Sequence, residues 1–151
     1  MDQHFWITVL TRENEDKAQQ LVLQGMKEHF GLIDHSLNPD LYPILKTYKQ
    51  DGYLFLTGFI DGILICTGGI VKENQTEGRI VRMSTAKEHR GKGYAKAMLA
   101  ELERRSQHLG YVRLVLETNK DWKNAIGLYQ NCGYHEEFRD DERIHMYKDL
   151  C

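Results

Sequence analysis

RIVRMSTAKEHRGKGYAKAMLA, residues 79–100, runs from a β-type segment through a turn with two glycines into a helix-period segment. Its centre is Arg90-Gly91-Lys92-Gly93-Tyr94-Ala95. The glycines let the backbone approach a bound group closely, and the helix that follows offers first-turn N–H groups with no intrahelical acceptor. An anion fits such a place. Within this stretch Arg79, Arg82, Lys87, Arg90, Lys92 and Lys96 stand against one acid, Glu88, so the segment reads as locally positive. A charge run alone is usually a solvated face; the glycine turn inside this one favours a phosphate ligand.

Upstream, Tyr53 to Ile60 and Ile63 to Val71 are strand-like runs joined by Asp61-Gly62, a hairpin signal because both turn positions need positive φ. With Arg79 to Thr85 they form a meander that feeds the glycine turn. Before them lie a first strand, Phe5 to Leu10, and a helix from near Asn14 with Ala18, Leu21, Val22, Gly25, Met26 and His29 on one face. The stretch from Gly31 to Pro43 has no sustained period and holds both prolines of the chain, so it reads as an irregular crossing before a short helix, Ile44 to Lys49. Its Asp34, His35 and Tyr42 are candidates for a substrate-lining loop, as ordinary loop polar groups are also. His29, at the end of an apolar face, reads as structural or catalytic.

Downstream, Ala95, Met98, Leu99, Leu102 and Leu109 set the buried stripe of a helix that ends at Gly110. Val112 to Thr118 is a β run. A short helix follows with Trp122, Ala125, Ile126 and Tyr129 on one face and Gly133 as its cap, then two closing strands, Tyr134 to Phe138 and Ile144 to Lys148.

A chain of 151 residues, 41% hydrophobic and 28% charged, suits one compact domain over residues 1–151. Its formal charge of −2 argues against a general nucleic-acid binder or a polybasic membrane protein. Cys66, Cys132 and Cys151 are widely spaced and odd in number, which suggests neither a disulfide framework nor a metal site. With no signal-like start and no long apolar stretch, the expectation is a soluble cytoplasmic protein.

Two common owners of a glycine-rich phosphate turn fail on single positions. A dinucleotide fingerprint requires glycine where Lys96 stands. A nucleotide-triphosphate loop requires glycine at Ala86 and a hydroxyl residue at Gly93. What remains is R-x-x-G-x-A, Arg90 to Ala95, between a meander strand and a helix. Together with RMST before the turn, LETN, and NAIGLYQNCGY at the following helix, it resembles the GNAT family, the GCN5-related N-acetyltransferases, over Arg79 to Tyr134.

The resemblance implies an α/β (α+β) fold of the GNAT acyltransferase type, a mixed and mostly antiparallel twisted sheet flanked by helices. It implies acetyl-CoA as cosubstrate, with no metal, in a cleft where the fourth and fifth strands splay. By position, the turn Arg90, Gly91, Lys92, Gly93, Tyr94, Ala95 and Lys96 would cradle the pyrophosphate. Met83, Ser84 and Thr85 would meet the pantetheine arm and the thioester through their backbone. Tyr129 would be the general acid to the departing thiolate. Glu117, 12 residues earlier, would be the general base; strand alternation equally allows a structural pair with Arg113. Trp122 stands where many members have an asparagine, so Asn119 or Asn124 would supply that contact.

The acceptor implied is a primary amine, either a small molecule or a peptide or protein N-terminus or lysine, and a homodimer is left open. The acids Glu136, Glu137, Asp140, Asp141 and Glu142 would favour a cationic acceptor such as a polyamine, an aminoglycoside or a basic peptide. The alternative is a non-catalytic acyl-CoA sensor on the same fold.

Overall fold

The computed structural model describes residues 4–30 and 39–150, with the side chains of residues 29 and 30 left aside. Asp34 and His35 lie outside the described residues. The elements run β1 (Phe5–Val9), α1 (Glu15–Phe30), α2 (Ile44–Tyr48), β2 (Leu54–Ile60), β3 (Ile63–Lys72), β4 (Glu77–Thr85), α3 (Tyr94–His108), β5 (Arg113–Asn119), α4 (Lys123–Asn131), β6 (His135–Arg139) and β7 (Arg143–Asp149). The strands form one sheet in the order β1-β2-β3-β4-β5-β7-β6. Only β4 and β5 pair in parallel. The mixed, mostly antiparallel sheet expected from the sequence is thus present.

The β2–β3 turn is tight because Asp61 and Gly62 both take positive φ, 49° and 80°. Alternation along β2 then feeds two cores. Leu56 faces Met98, Leu99 and Leu102 of α3, together with Leu114, Leu116 and Tyr129. Phe55 faces Ala18, Val22 and Leu23 of α1 and Ile44 and Tyr48 of α2. Being covered on both faces, β2 and β3 read as nearly unbroken apolar runs.

Two helix faces differ from the sequence reading. In α1 the buried positions are Ala18, Val22 and Leu23, whereas Leu21, Gly25 and Met26 are only half-buried. In α3 the stripe ends at Ser106, and Leu109 is 45% exposed. The reason is the helix end: Gly110 takes φ 92°, and the N–H groups of Leu109, Gly110 and Tyr111 close back onto the carbonyls of Arg105, Gln107 and Ser106, which turns Leu109 outward.

One position decides how closely α3 sits on the sheet. A Cβ at Gly68 would lie 2.8 Å from Leu102 Cδ1, 2.9 Å from Met98 Cγ and 3.0 Å from Met83 Sδ. Gly68→Ala is therefore expected to cost about 1–3 kcal/mol by overpacking. Gly127, inside α4 with open space around it, is the contrasting site, and Gly127→Ala should add about 0.5–1 kcal/mol through helix propensity alone. Urea unfolding of both variants checks the pair; equal effects would refute the packing argument.

Candidate active site

β4 and β5 pair only from Glu77–Arg113 to Arg79–Val115. Beyond that point β4 stays on β3 and β5 stays on β7, so the two strands part and leave a gap in the sheet. Along this gap the inner edges of residues 80–85 and 116–119 have no strand partner.

A bulge bends β4 at this place. Thr67 pairs with Ser84 and Gly69 with Val81, so Gly68 alone faces two residues, Arg82 and Met83. Arg82 takes φ 55°, a left-handed conformation that a non-glycine residue holds only when its surroundings impose it. Those surroundings are explicit. Thr67 Oγ1 donates to the Arg82 carbonyl at 2.8 Å. The guanidinium forks onto Asp40, Nε to Oδ2 at 2.9 Å and Nη2 to Oδ1 at 2.5 Å, and the Tyr48 hydroxyl donates to Oδ2 at 2.9 Å. Burial works against the Asp40 carboxylate, but Arg82 and the Tyr48 hydroxyl outweigh it and hold the carboxyl below its usual range. Burial and the Asp40 charge together push the Tyr48 phenol up.

The side chains at the bulge are engaged away from the gap. Met83 packs on the α3 core, Ser84 lies against Gly25 of α1, and Thr85 Oγ1 meets Cys66 Sγ at 3.6 Å. What these residues offer a ligand is backbone.

After β4, Gly91 and Gly93 take φ 74° and 91°, and Gly93 stands as the N-cap of α3 with no side-chain cap. The N–H groups at Tyr94, Ala95 and Lys96 therefore form an uncapped helix start, favourable to negative charge. Arg90 has a different task. Its Nη1 and Nη2 fork onto Glu28 of α1 at 2.9 and 3.0 Å, and its Nε donates to the Thr85 carbonyl at 3.0 Å. It straps the turn to α1.

The locally positive segment read from the sequence is accordingly corrected. Arg79 pairs with Glu73, Arg82 with Asp40 and Arg90 with Glu28. Lys87, Lys92 and Lys96 are exposed, and among the described residues no ion pair involves them. Two of the neutralising acids come from α1 and the segment before α2, which window counting could not see.

Across the gap, Tyr129 closes the last turn of α4, with its ring 8% exposed and edge-on to Tyr134 at 5.8 Å. Burial, with a smaller contribution from the Cys132 thiol, pushes its hydroxyl up to about 12. Its support is firm: Tyr134 donates to Glu103 Oε2 at 2.9 Å, and Lys148 bridges Glu103 Oε1 and the Cys132 carbonyl at 2.9 and 2.8 Å.

Glu117 projects from the opposite face of β5. It does not pair with Arg113, which takes Asp149 at 2.6 Å and lies over the Tyr147 ring. Its partners are Arg143 at 3.1 Å and His145 at 3.6 Å, both on β7. Asn119 Oδ1 accepts from the Asp121 N–H at 2.8 Å and so shapes the turn into α4, while Asn124 is exposed in that helix's first turn. Of the acidic cluster, Glu136 pairs with Arg139 and Asp140 caps the β6–β7 turn; Glu137, Asp141 and Glu142 are exposed. Tyr42 is 37% exposed beside the segment that carries Asp40.

A gap between parting strands, a bulge offering backbone and an uncapped glycine-led helix form one arrangement, and the sequence matches the acetyltransferase (GNAT) family over residues 20–134. The chain belongs to the GNAT family. Human N-acetyltransferase 8B is 29% identical over 108 residues, 68% of this chain and 48% of that protein, so the chain spans about half the length of this relative. The uncharacterized N-acetyltransferase YjgM of Escherichia coli K12 is 29% identical over 127 residues, 80% of this chain and 76% of that one. PaiA N-acetyltransferase of Thermoplasma acidophilum, solved in complex with coenzyme A, superposes with a TM-score of 0.81 at 20% identity, covering 96% of this chain and 98% of that chain. The fold is that of the GNAT acetyltransferases.

Among the described residues of this GNAT chain, no cluster of His, Cys, Asp and Glu is gathered for a metal, and no helix is long and apolar enough to cross a membrane. Sequence reading missed Arg82, Asp40 and Tyr48 as supports of the bulge, and His145 beside Glu117. The only signal open to it was Arg82 itself, a charged residue set between the apolar Val81 and Met83 of β4.

The bulge support is testable through stability. Asp40→Asn removes the counter-charge of Arg82 and should cost about 2 kcal/mol at pH 7. The folded Asp40 pKa lies below its unfolded value of about 3.9, so this contribution is complete above about pH 5 and is lost as pH falls through the folded value. Urea titrations of wild type and variant from neutral to acid should show the difference shrinking; a difference independent of pH would count against the ion pair.

Proposed function

We propose that this GNAT chain is an acetyl-CoA-dependent N-acetyltransferase that moves the acetyl group directly to a primary amine. The observation that carries the proposal is the gap between β4 and β5, with bulged backbone on one rim and an uncapped helix start beside it. Family membership supports it, as does the coenzyme A held by the PaiA neighbour. The pyrophosphate would lie on the backbone N–H groups from Gly91 to Lys96, with Lys92 and Lys96 adding charge and Arg90 holding the turn in shape. The pantetheine arm would run along Met83, Ser84 and Thr85, with the amide of Asn119 or Asn124 meeting it from the β5 side.

In the reaction the amine lone pair attacks the thioester carbon, and the oxyanion is stabilised by backbone N–H groups of the bulge. Collapse breaks the C–S bond. An alkylammonium is only on the order of one part in a thousand neutral at pH 7, so its proton must first be removed, and Glu117 takes it. The second amine proton ends on the thiol. With the Tyr129 hydroxyl at about 12, full proton transfer to a thiolate of pKa about 8.5 would be uphill by about 5 kcal/mol, so Tyr129 acts chiefly as a hydrogen-bond donor to the departing sulfur.

Neither described thiol suits an acyl-enzyme. Burial pushes Cys66 up to about 11, and burial with the Glu103 charge raises Cys132. Their free state fits a reducing, cytoplasmic setting.

Free-thiol release from acetyl-CoA over a panel of polyamines, aminoglycosides, amino acids and N-terminal peptides should identify the acceptor. Tyr129→Phe should then lower kcat about 100-fold while acetyl-CoA affinity stays within about twofold. Glu117→Gln should lower kcat/KM for the amine at pH 7, with the deficit narrowing as pH rises toward the acceptor's own pKa. Acetyl-CoA binding without thiol release on any amine would favour a sensor.

A further inference from the structure

β5 and β7 are paired so that Glu117 and His145 face one another directly, and both side chains project from the sheet face opposite Tyr129. His145 Nδ1 lies 3.6 Å from Glu117 Oε2, and its Nε2 lies 3.0 Å from Asp140 Oδ2. The ring is stacked flat on Phe138 of β6, with centroids 4.1 Å apart and planes 11° apart, so its in-plane directions are fixed toward these two carboxylates. Asp140 is itself held. The N–H groups of Glu142 and Arg143 donate to its Oδ1 at 2.9 and 2.8 Å, leaving Oδ2 for the imidazole. Those backbone bonds first, and His145 second, bring its carboxyl down to about 2, so it stays ionised wherever amines are acetylated. Arg143 Nη1 occupies Glu117 Oε1, so Oε2 is the oxygen left to face the ring.

We propose that His145 is a positioning residue that takes the acceptor's proton from Glu117 and releases it to solvent, so that Glu117 is returned to its basic form for each turnover. The inference rests on the reading of Glu117 as the acceptor-side base. The proton passes from the ammonium nitrogen to Glu117 Oε2, then to His145 Nδ1, giving an imidazolium between two carboxylates, and leaves to water. One proton is lost by the amine and one gained by the solvent, with no other reactant. The Nε2–H bond to Asp140 keeps the Nδ1 lone pair aimed at Glu117, the role an ionised carboxylate plays behind a catalytic imidazole. The separation of 3.6 Å is longer than a hydrogen bond, as pairs of this kind often are before substrate is bound. Asp140 is the member most open to water: its side chain is 53% exposed, against 37% for Glu117 and 19% for His145. The other charges facing the pair are Arg143 on β7, whose Nη1 lies 3.1 Å from Glu117 Oε1, and Arg79 on β4.

The test uses the full chain, acetyl-CoA and an amine that the wild type acetylates. His145→Gln should lower kcat/KM for the amine about 10- to 100-fold at pH 7, leave acetyl-CoA affinity within about twofold, and regain most of the loss near the amine's own pKa. In His145→Gly, added imidazole should restore rate, which a purely structural histidine would not allow. Asp140→Asn keeps the Oδ1 that caps the turn and alters only the atom facing the ring, so it repeats the test with the imidazole in place; a smaller loss over the same pH range is expected. A wild-type pH–rate profile in His145→Gln, with Glu117→Gln strongly impaired, would overturn the relay and leave the proposed function standing. Full turnover in Glu117→Gln would remove the base itself, and the relay with it.

Discussion

The ion pair between Arg82 and Asp40 is the constraint on which the site depends. A strand with one residue too many must bend, and β4 bends by putting a non-glycine residue into the left-handed region. That conformation persists because the arginine is forked onto a carboxylate that Tyr48 also holds, while Thr67 takes its carbonyl. The bulge is thus held from α2 and the turn before it, on the face of the sheet away from α3.

The electrostatics of the turn follow the same logic. Arg82 and Arg90 serve as straps, each bound to an acid distant in the chain, and Arg79 pairs with Glu73 of the β3–β4 turn, which leaves the backbone N–H groups of Gly91 to Lys96 and the exposed lysines as the groups of the turn favourable to negative charge. Guanidinium suits the strapping role because its planar fork meets a carboxylate at two points. An ammonium group does not, and the lysines remain at the surface.

A gap in a sheet lets groups on opposite faces address the same bond. Tyr129 stands with α3 and α4 on one face, and Glu117 projects with the aromatic and charged residues of β7 on the other. In the proposed reaction, donor and acceptor substrates approach from opposite sides of the sheet. The buried side holds its phenol protonated, and the other side carries Glu117 and Asp140 with His145 between them.

Much of this architecture was legible before folding was considered. Asp61-Gly62, Gly93, Gly110 and Gly133 mark turns and helix ends because positive φ is a local steric requirement, and all four sit where the pattern placed them. The spacing from Arg90 to Ala95 and on to Tyr129 likewise carried the family resemblance. The chain alone did not disclose that Arg90 belongs to Glu28, Arg82 to Asp40, or His145 to Glu117, since these partners lie 62, 42 and 28 residues away. Local sterics act between neighbours in the chain, so sequence determines them. Ion pairs and cross-strand contacts act through space, and only the register of β4, β5 and β7 and the docking of α1 and α2 decide which charges meet.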